Sequence, residues 1–244
     1  MRCAGKASEA MLHDARQEPR AVLIDLDGTL MDTAPDLAEA ANRTRADFGL
    51  LPLPAARIAQ YVGKGADVLV HRILTDRMSG EDAPEHFAPA RAAFTRHYHA
   101  VNGDASVVFE GVPHALARLR ERGWKLACVT NKPREFTLPL LQRAGLVPLL
   151  DAVVCGDEVQ HRKPHPEIVL QACHRLGVAP GRAVMIGDSV NDVRAAHAAG
   201  VRVILVETGY NEGATVASLA DEPGLDAIVP GLIDAARWLD QATS

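Results

Sequence analysis

The chain of 244 residues is 48% apolar and 23% charged, enough to bury a core of its own, which excludes a wholly disordered protein. Its 26 Lys and Arg against 31 Asp and Glu leave a net charge of -5, which excludes a nucleic-acid binder working through a basic surface. No apolar run approaches the ~20 residues of a membrane helix.

Residues 1–19 are polar and mixed in charge. Without an apolar stretch they read as a disordered leader rather than a signal peptide, with Met11 an alternative start. The near-continuous apolar runs Ala21–Leu26, Lys125–Thr130, Asp151–Cys155, Ala183–Gly187 and Val201–Val206 predict strands covered on both faces. Helices are expected over 112–122, 134–144, 166–176 and 191–199, followed by Gly123, Gly145, Gly177 and Gly200 as left-handed C-caps. Strand–helix alternation from 107 to 207 predicts an α/β fold with a doubly wound, Rossmann-like parallel sheet. One connection is out of proportion. From about 33 to 104 the chain reads as helices (35–48, 58–78 with a break at Gly63-Lys64-Gly65, and 84–100). The isolated strand 21–26 has nothing to pair with locally, so the expected organisation is a core of 20–32 and 105–244 with a helical cap, 33–104, inserted after the first strand. The four cysteines (Cys3, Cys128, Cys155, Cys173) lack metal spacing and suit a reducing compartment.

Ligands of open α/β sheets bind at the carboxyl ends of the strands. The first strand delivers Asp25-Leu26-Asp27-Gly28-Thr29 there, the next core strand Thr130-Asn131-Lys132, and a later one Asp188-Ser189-Val190-Asn191-Asp192, while Lys163-Pro164 precedes a helix. Taken singly, each has a plain local reading: Asp27-Gly28 as a turn, Thr130 and Asn131 as helix caps, Ser189 and Asp192 as a capping box, Lys163 as a solvated lysine. Together they place four acids, a hydroxyl and an ammonium at one sheet edge. Clustered carboxylates repel unless a cation sits among them, and oxygen ligands without His or Cys favour Mg²⁺, which in turn favours phosphate substrates. Only 5 of the 26 basic residues are Lys, and Lys64, Lys132 and Lys163 all fall in these segments or in the helical break. His97-Tyr98-His99 has i, i+2 spacing, which a helix splits between different sides, so it reads as packing or surface rather than a metal site.

The set Asp25-Leu26-Asp27-Gly28-Thr29-Leu30, Thr130-Asn131, Lys163-Pro164 and Gly187-Asp188-Ser189-Val190-Asn191-Asp192 resembles, in order, the four motifs of the haloacid dehalogenase-like hydrolases. Within that family, Tyr61–Asp67, Val129–Pro133 and Gly209–Gly213 are similar to the bacterial phosphoglycolate phosphatases. The resemblance implies a cytoplasmic Mg²⁺-dependent phosphatase acting on a small phosphorylated metabolite, foremost 2-phosphoglycolate, as a monomer or homodimer. It implies Asp25 as nucleophile and Asp27 as acid and base. It also implies Thr130, Lys163 and N–H groups around Gly28 and Asn131 as phosphate binders. The metal would be held by Asp25, the Asp27 carbonyl and Asp188, supported by Asp192. Dehalogenases of the family lack the second acid, so Asp27 points to phosphoryl transfer, and the form of the last motif favours a phosphatase over a β-phosphoglucomutase. A broad sugar-phosphate or nucleotide phosphatase, a phosphomutase and an inactive interaction protein on the same fold are the rivals. Lys64, and more weakly Arg72, are expected to reach from the cap toward the substrate carboxylate. His161 and His165, which flank Lys163, read as loop residues.

Overall fold

The computed structural model describes residues 20–79 and 85–242, so the leader with Met11 and Cys3 lies outside the described residues. In chain order the elements are β1 (Arg20–Ile24), β2 (Met31–Asp32), α1 (Ala34–Asp47), α2 (Ala55–Ala59), α3 (Ala66–Thr75), α4 (Phe87–Val101), β3 (Val107–Val108), α5 (Val112–Glu121), β4 (Trp124–Thr130), α6 (Arg134–Arg143), β5 (Ala152–Cys155), α7 (Glu167–Leu176), β6 (Ala183–Gly187), α8 (Val190–Ala199), β7 (Arg202–Val206), β8 (Leu225–Val229) and α9 (Leu232–Ala242).

β1 is buried along Ala21–Ile24 because successive side chains serve opposite cores. Val22 and Ile24 pack with Leu116 and Leu119 of α5, Leu140 of α6 and Leu232 and Leu239 of α9. Ala21 and Leu23 pack with Ile168, Val169 and Leu176 of α7 and Val193 and Ala196 of α8. Helices therefore cover both faces, as the apolar runs require. The six main strands pair in parallel in the order β5-β4-β1-β6-β7-β8. The chain winds outward from β1 through β4 to β5, then returns to β6 on the other side of β1. That reversal opens a crevice at the carboxyl ends of β1, β4 and β6.

The last strand and helix, β8 and α9, were not expected from the sequence. β8 is an edge strand whose Asp226 is exposed, and this charge interrupts the apolar run that marks a covered strand. Asp226 turns back onto β7, accepting from Val203 N at 2.8 Å and pairing with Arg202 at 3.1 Å. The expected break at Gly63-Lys64-Gly65 separates α2 from α3, because Gly63 (φ 120°) and Gly65 (φ 87°) adopt conformations that no helix continues through.

Helices α1–α4 lie between β2 and β3, whose antiparallel pairing sets Met31 opposite Val108 and Asp32 opposite Val107. This two-residue ribbon is too short to mark a sequence pattern, yet it brings the two ends of the helical segment together. Buried Asp36 secures the returning chain, accepting hydrogen bonds from Gly103 N (2.8 Å), Ala105 N (2.8 Å) and Ser106 N (3.0 Å). The segment has its own core of Leu37, Ile58, Tyr61, Leu69, Val70, Ile73, Phe94 and Tyr98, joined by Phe136 of α6. Among the described residues no helix is long and apolar enough to cross a membrane.

Candidate active site

Asp25 is the first residue beyond β1. Its N–H still donates to Ile186 O of β6 (2.9 Å), so the sheet itself aims it. Asp25 Oδ1 accepts from Leu26 N (2.7 Å) and from Lys163 Nζ (2.9 Å). Lys163 Nζ also donates to Asp192 Oδ1 (2.8 Å) and Val129 O (2.9 Å), so all three of its N–H groups are engaged. Burial opposes the charge of Lys163, but Asp192 and Asp25 outweigh it and raise its pKa.

Asp25, Asp188 and Asp192 bring carboxylate oxygens within 4.8 Å of one another. Both oxygens of Asp192 are already engaged: Oδ1 by Lys163, and Oδ2 by Ser189 N (3.1 Å) and Ser189 Oγ (2.8 Å), the capping box at the start of α8. The local reading and the site reading of Ser189 and Asp192 are therefore both true. Asp188 accepts from Tyr210 N at 2.8 Å and more distantly from Thr29 Oγ1 at 3.4 Å, while Asp25 Oδ2 has no donor among the described residues. Asp25 and Asp188 thus retain acceptor capacity. Glycines make room for Asp188: a Cβ on Gly28 would stand 2.5 Å from Asp188 Oδ2, and one on Gly209 would clash with the Asp188 side chain.

A divalent cation fits this donor set. Three buried carboxylates share one ammonium, and the imbalance shows in their acidity. Burial, opposed by Lys163 and reinforced by the charges of Asp192 and Asp27, leaves Asp25 raised to about 7. Asp188 is raised well above the usual carboxylate range by burial and by Asp192 and Asp25. Hard oxygen donors suit Mg²⁺ rather than a softer metal.

Asp27 turns to a second cation. Its Oδ1 accepts from Lys132 Nζ (2.6 Å) and from Thr33 Oγ1 (2.5 Å). Lys132 is 6% exposed and lies 5.1 Å from the centre of the Tyr98 ring. Lys132, Thr33 and Tyr98 received no role from the sequence. The scarcity of Lys and the position of Lys132 just past β4 were the available signals for the first of them. Nothing in the sequence marked the other two.

Thr130 Oγ1 accepts from Lys132 N (3.1 Å), which leaves its own proton to offer. The Asn131 side chain is a clip: Oδ1 accepts from Lys163 N (2.9 Å), and Nδ2 donates to Lys163 O (2.9 Å) and to Gly63 O of the helical segment (2.9 Å). The Gly28 N–H donates to Met31 O (2.9 Å). Gly28 itself makes room for Asp188.

Lys64, expected to reach toward the substrate carboxylate, lies against the loop after β7. Its ammonium pairs with Glu212 Oε2 at 3.0 Å and lies outside the cavity lining, and buried Arg72 meets the other oxygen of Glu212 at 2.5 Å. Both cations fasten the helical segment to the loop after β7. The same loop is tied to β2 and α1 by Tyr210, whose hydroxyl donates to Asp32 Oδ1 (2.6 Å) and accepts from Thr33 N (2.9 Å). The Lys64 side chain is 37% exposed, and such a pair is worth about 0.2–1 kcal/mol. Lys64→Ala is thus expected to change KM by less than about fivefold, measured by steady-state phosphate release. A loss of a hundredfold would restore Lys64 to the substrate site. His161 and His165 sit on an exposed loop with ring centres 4.5 Å apart. His97 and His99 pair with Asp47 (2.7 Å) and Glu135 (3.0 Å).

Between sheet edge and helices lies a cavity of about 40 Å³, lined by Asp25, Asp27, Thr130, Asn131 and Lys132 below and by Leu37, Val62, Leu69, Phe94 and Tyr98 above. At ~10–15 Å³ per water it holds roughly three waters.

Residues 19–200 match the family model of the haloacid dehalogenase-like hydrolases. The chain belongs to this family. It is 43% identical over 224 residues to a phosphoglycolate phosphatase of Nitrosospira multiformis, covering 92% of this chain and 97% of that one. It is 46% identical over 220 residues to a plasmid-borne phosphoglycolate phosphatase of Cupriavidus necator, covering 89% and 94%. The solved structure of a predicted phosphoglycolate phosphatase from Haemophilus somnus superposes with a TM-score of 0.80 at 30% identity, covering 91% and 98%. Family and relatives together make the chain a phosphatase.

Proposed function

We propose that the enzyme hydrolyses 2-phosphoglycolate to glycolate and phosphate by way of a phosphoryl group carried on Asp25. The observation that carries this reading is that Asp25 and Asp27 open onto one cavity while each is held by a different lysine. One carboxylate is thereby fixed as nucleophile, and the other stands apart to handle protons. Asp25 attacks phosphorus. Asp27 gives a proton to the departing oxygen and then takes one from the water that splits the acyl phosphate. The Thr130 hydroxyl donates to a phosphoryl oxygen, and the Lys163 ammonium, held beside Asp25, offsets the negative charge that gathers there. Asp25, the Asp27 carbonyl and Asp188 would hold a Mg²⁺, which when bound would offset the repulsion between Asp25 and the phosphate dianion. Asp192 keeps Lys163 and the start of α8 in place behind them.

We read residues 33–104 as a cap that closes over a core of 20–32 and 105–244 and excludes water. The small cavity suits a two-carbon leaving group, and the substrate named in the relatives has that size. The three described cysteines are free and buried, as in a reducing cytoplasm.

The test is phosphate release from 2-phosphoglycolate beside an aryl phosphate, with Mg²⁺ and with excess EDTA. A kcat/KM ratio above about 10³ for 2-phosphoglycolate, equal to ~4 kcal/mol, and loss of turnover in EDTA are expected. A ratio near one withdraws the substrate and turns the search to sugar phosphates and nucleotides. Dependence on a bisphosphate activator with little phosphate released marks a mutase. Full activity in EDTA removes the metal.

A further inference from the structure

The side chains that the helical segment contributes to the cavity wall are apolar except at one point. Leu37, Val62, Leu69 and Phe94 offer no polar side-chain atom, and the Tyr98 hydroxyl is the exception. Tyr98 is 1% exposed, and its hydroxyl makes no well-formed hydrogen bond among the described residues; the polar group nearest it, the Lys132 ammonium, can only donate, so the hydroxyl proton has no acceptor. A buried donor without an acceptor is rare in native proteins and calls for an explanation. Packing does not explain it, since Phe would fill the same space. The ring is wedged against Phe94 (centres 5.6 Å apart) and Phe136 (4.7 Å), so the hydroxyl cannot swing to water. Burial raises its pKa to about 12, so it remains a donor throughout the neutral range.

The charge beside it is Lys132, whose Nζ lies 5.1 Å from the centre of the Tyr98 ring and 2.6 Å from Asp27 Oδ1. We propose that Tyr98 and Lys132 together form the subsite that reads a carboxylate on the leaving group, with Lys132 supplying charge from the core and Tyr98 a hydrogen bond from the helical segment. This rests on the phosphatase reading above and deepens it. In 2-phosphoglycolate the carboxylate carbon lies two bonds beyond the ester oxygen. A group serving that oxygen, as Asp27 does, therefore has the carboxylate as a near neighbour. The carboxylate meets both an ammonium and a hydroxyl donor, a pairing that a neutral alkyl group cannot use. A polyol needs several partners and finds one hydroxyl in an otherwise apolar wall. Because Tyr98 belongs to α4 and Lys132 follows β4, the subsite is complete only when the helices are seated on the sheet, so the carboxylate itself favours closure.

Tyr98→Phe removes the donor and keeps the ring. The measurement is kcat/KM for 2-phosphoglycolate and for ethyl phosphate, which has the same chain length and no carboxylate, in wild type and in Tyr98→Phe. The wild-type preference for 2-phosphoglycolate is expected to fall at least tenfold in the variant, chiefly through KM, with the thermal midpoint shifted little. A purely structural role for the hydroxyl lowers both substrates together and leaves the ratio intact, which overturns the proposal. So does a variant equal to wild type on both. A wild-type enzyme that does not distinguish the two substrates overturns the 2-phosphoglycolate reading itself, whereas a wild-type preference that survives in Tyr98→Phe overturns only the subsite.

Discussion

Asp25→Asn is expected to lower kcat for phosphate release by at least about 10⁴-fold, the scale seen when a nucleophile is removed from a covalent mechanism. It is also expected to make the metal-free protein more stable above pH 7. The second effect follows from the acidity of the group. A carboxyl raised from 3.8 to about 7 in the folded state binds more protons there than in the unfolded chain. Folding stability therefore falls as pH rises between those two values, and Asn at the same position removes that loss. Burial outweighs the attraction of Lys163 in setting this acidity, so the neutral isostere is the better resident when no metal is bound. Urea unfolding in EDTA at pH 5 and pH 8 measures it. Wild type is expected to lose stability between the two, and Asp25→Asn to lose less. A variant less stable than wild type at pH 8 would show that the ion pair with Lys163 outweighs burial. Retained turnover would remove Asp25 from the mechanism altogether.

Lys163→Met is the second large effect, and here stability and activity fall together. Lys163 is 3% exposed and meets Asp25 at 2.9 Å and Asp192 at 2.8 Å. Its removal leaves two buried carboxylates without their common cation, and breaking a buried pair in this way costs about 3–5 kcal/mol. The raised pKa of Lys163 fixes the pH range of its contribution. The group is charged at every neutral pH, and its stabilising effect is lost only in strong alkali, as pH rises through its folded pKa. The wild-type minus Lys163→Met difference is therefore expected at both pH 6 and pH 8. It should be smaller at pH 6, where Asp25 is largely protonated. Lys163→Arg is not expected to restore activity, because a planar guanidinium cannot place three donors toward Asp25, Asp192 and Val129 O as an ammonium does. Equilibrium unfolding with a loss below about 1 kcal/mol for Lys163→Met would contradict the cost assigned to the buried charges.

Much of the sheet and of the site was legible before any coordinates. The runs at 21–26, 125–130 and 183–187 read as strands because both faces of a covered strand are apolar, and the structure places them side by side as β4, β1 and β6. The carboxyl-edge rule then gathered Asp25, Asp27, Thr130 and Asp188 without knowledge of any contact. β8 escaped because an edge strand with an outward Asp226 lacks that apolar signature. The ribbon of β2 and β3 escaped because two residues carry no periodicity. The partner of Lys64 was not legible for a different reason: a glycine-flanked lysine at a helical break shows that the residue is exposed, not what it faces. Tyr210 and Glu212 lay in a noticed segment, but their partners Asp188, Asp32, Arg72 and Lys64 are scattered through the chain.

By itself, then, the sequence determined the kind of chemistry: two acids spaced i, i+2 at the end of a buried strand, further acids and a lysine on neighbouring loops, and a helical excursion between them. Those features are local, and local spacing is enough to set residue types on a common edge. Only the tertiary structure decided which cation answers which carboxylate. Lys163 went to Asp25 and Asp192, and Lys132, 105 positions away in sequence, went to Asp27. Arg72 and Lys64 went to Glu212, outside the cavity. The physical reason is that the strength of an ion pair depends on distance and burial together, and both are properties of the packed molecule rather than of the order of residues along it.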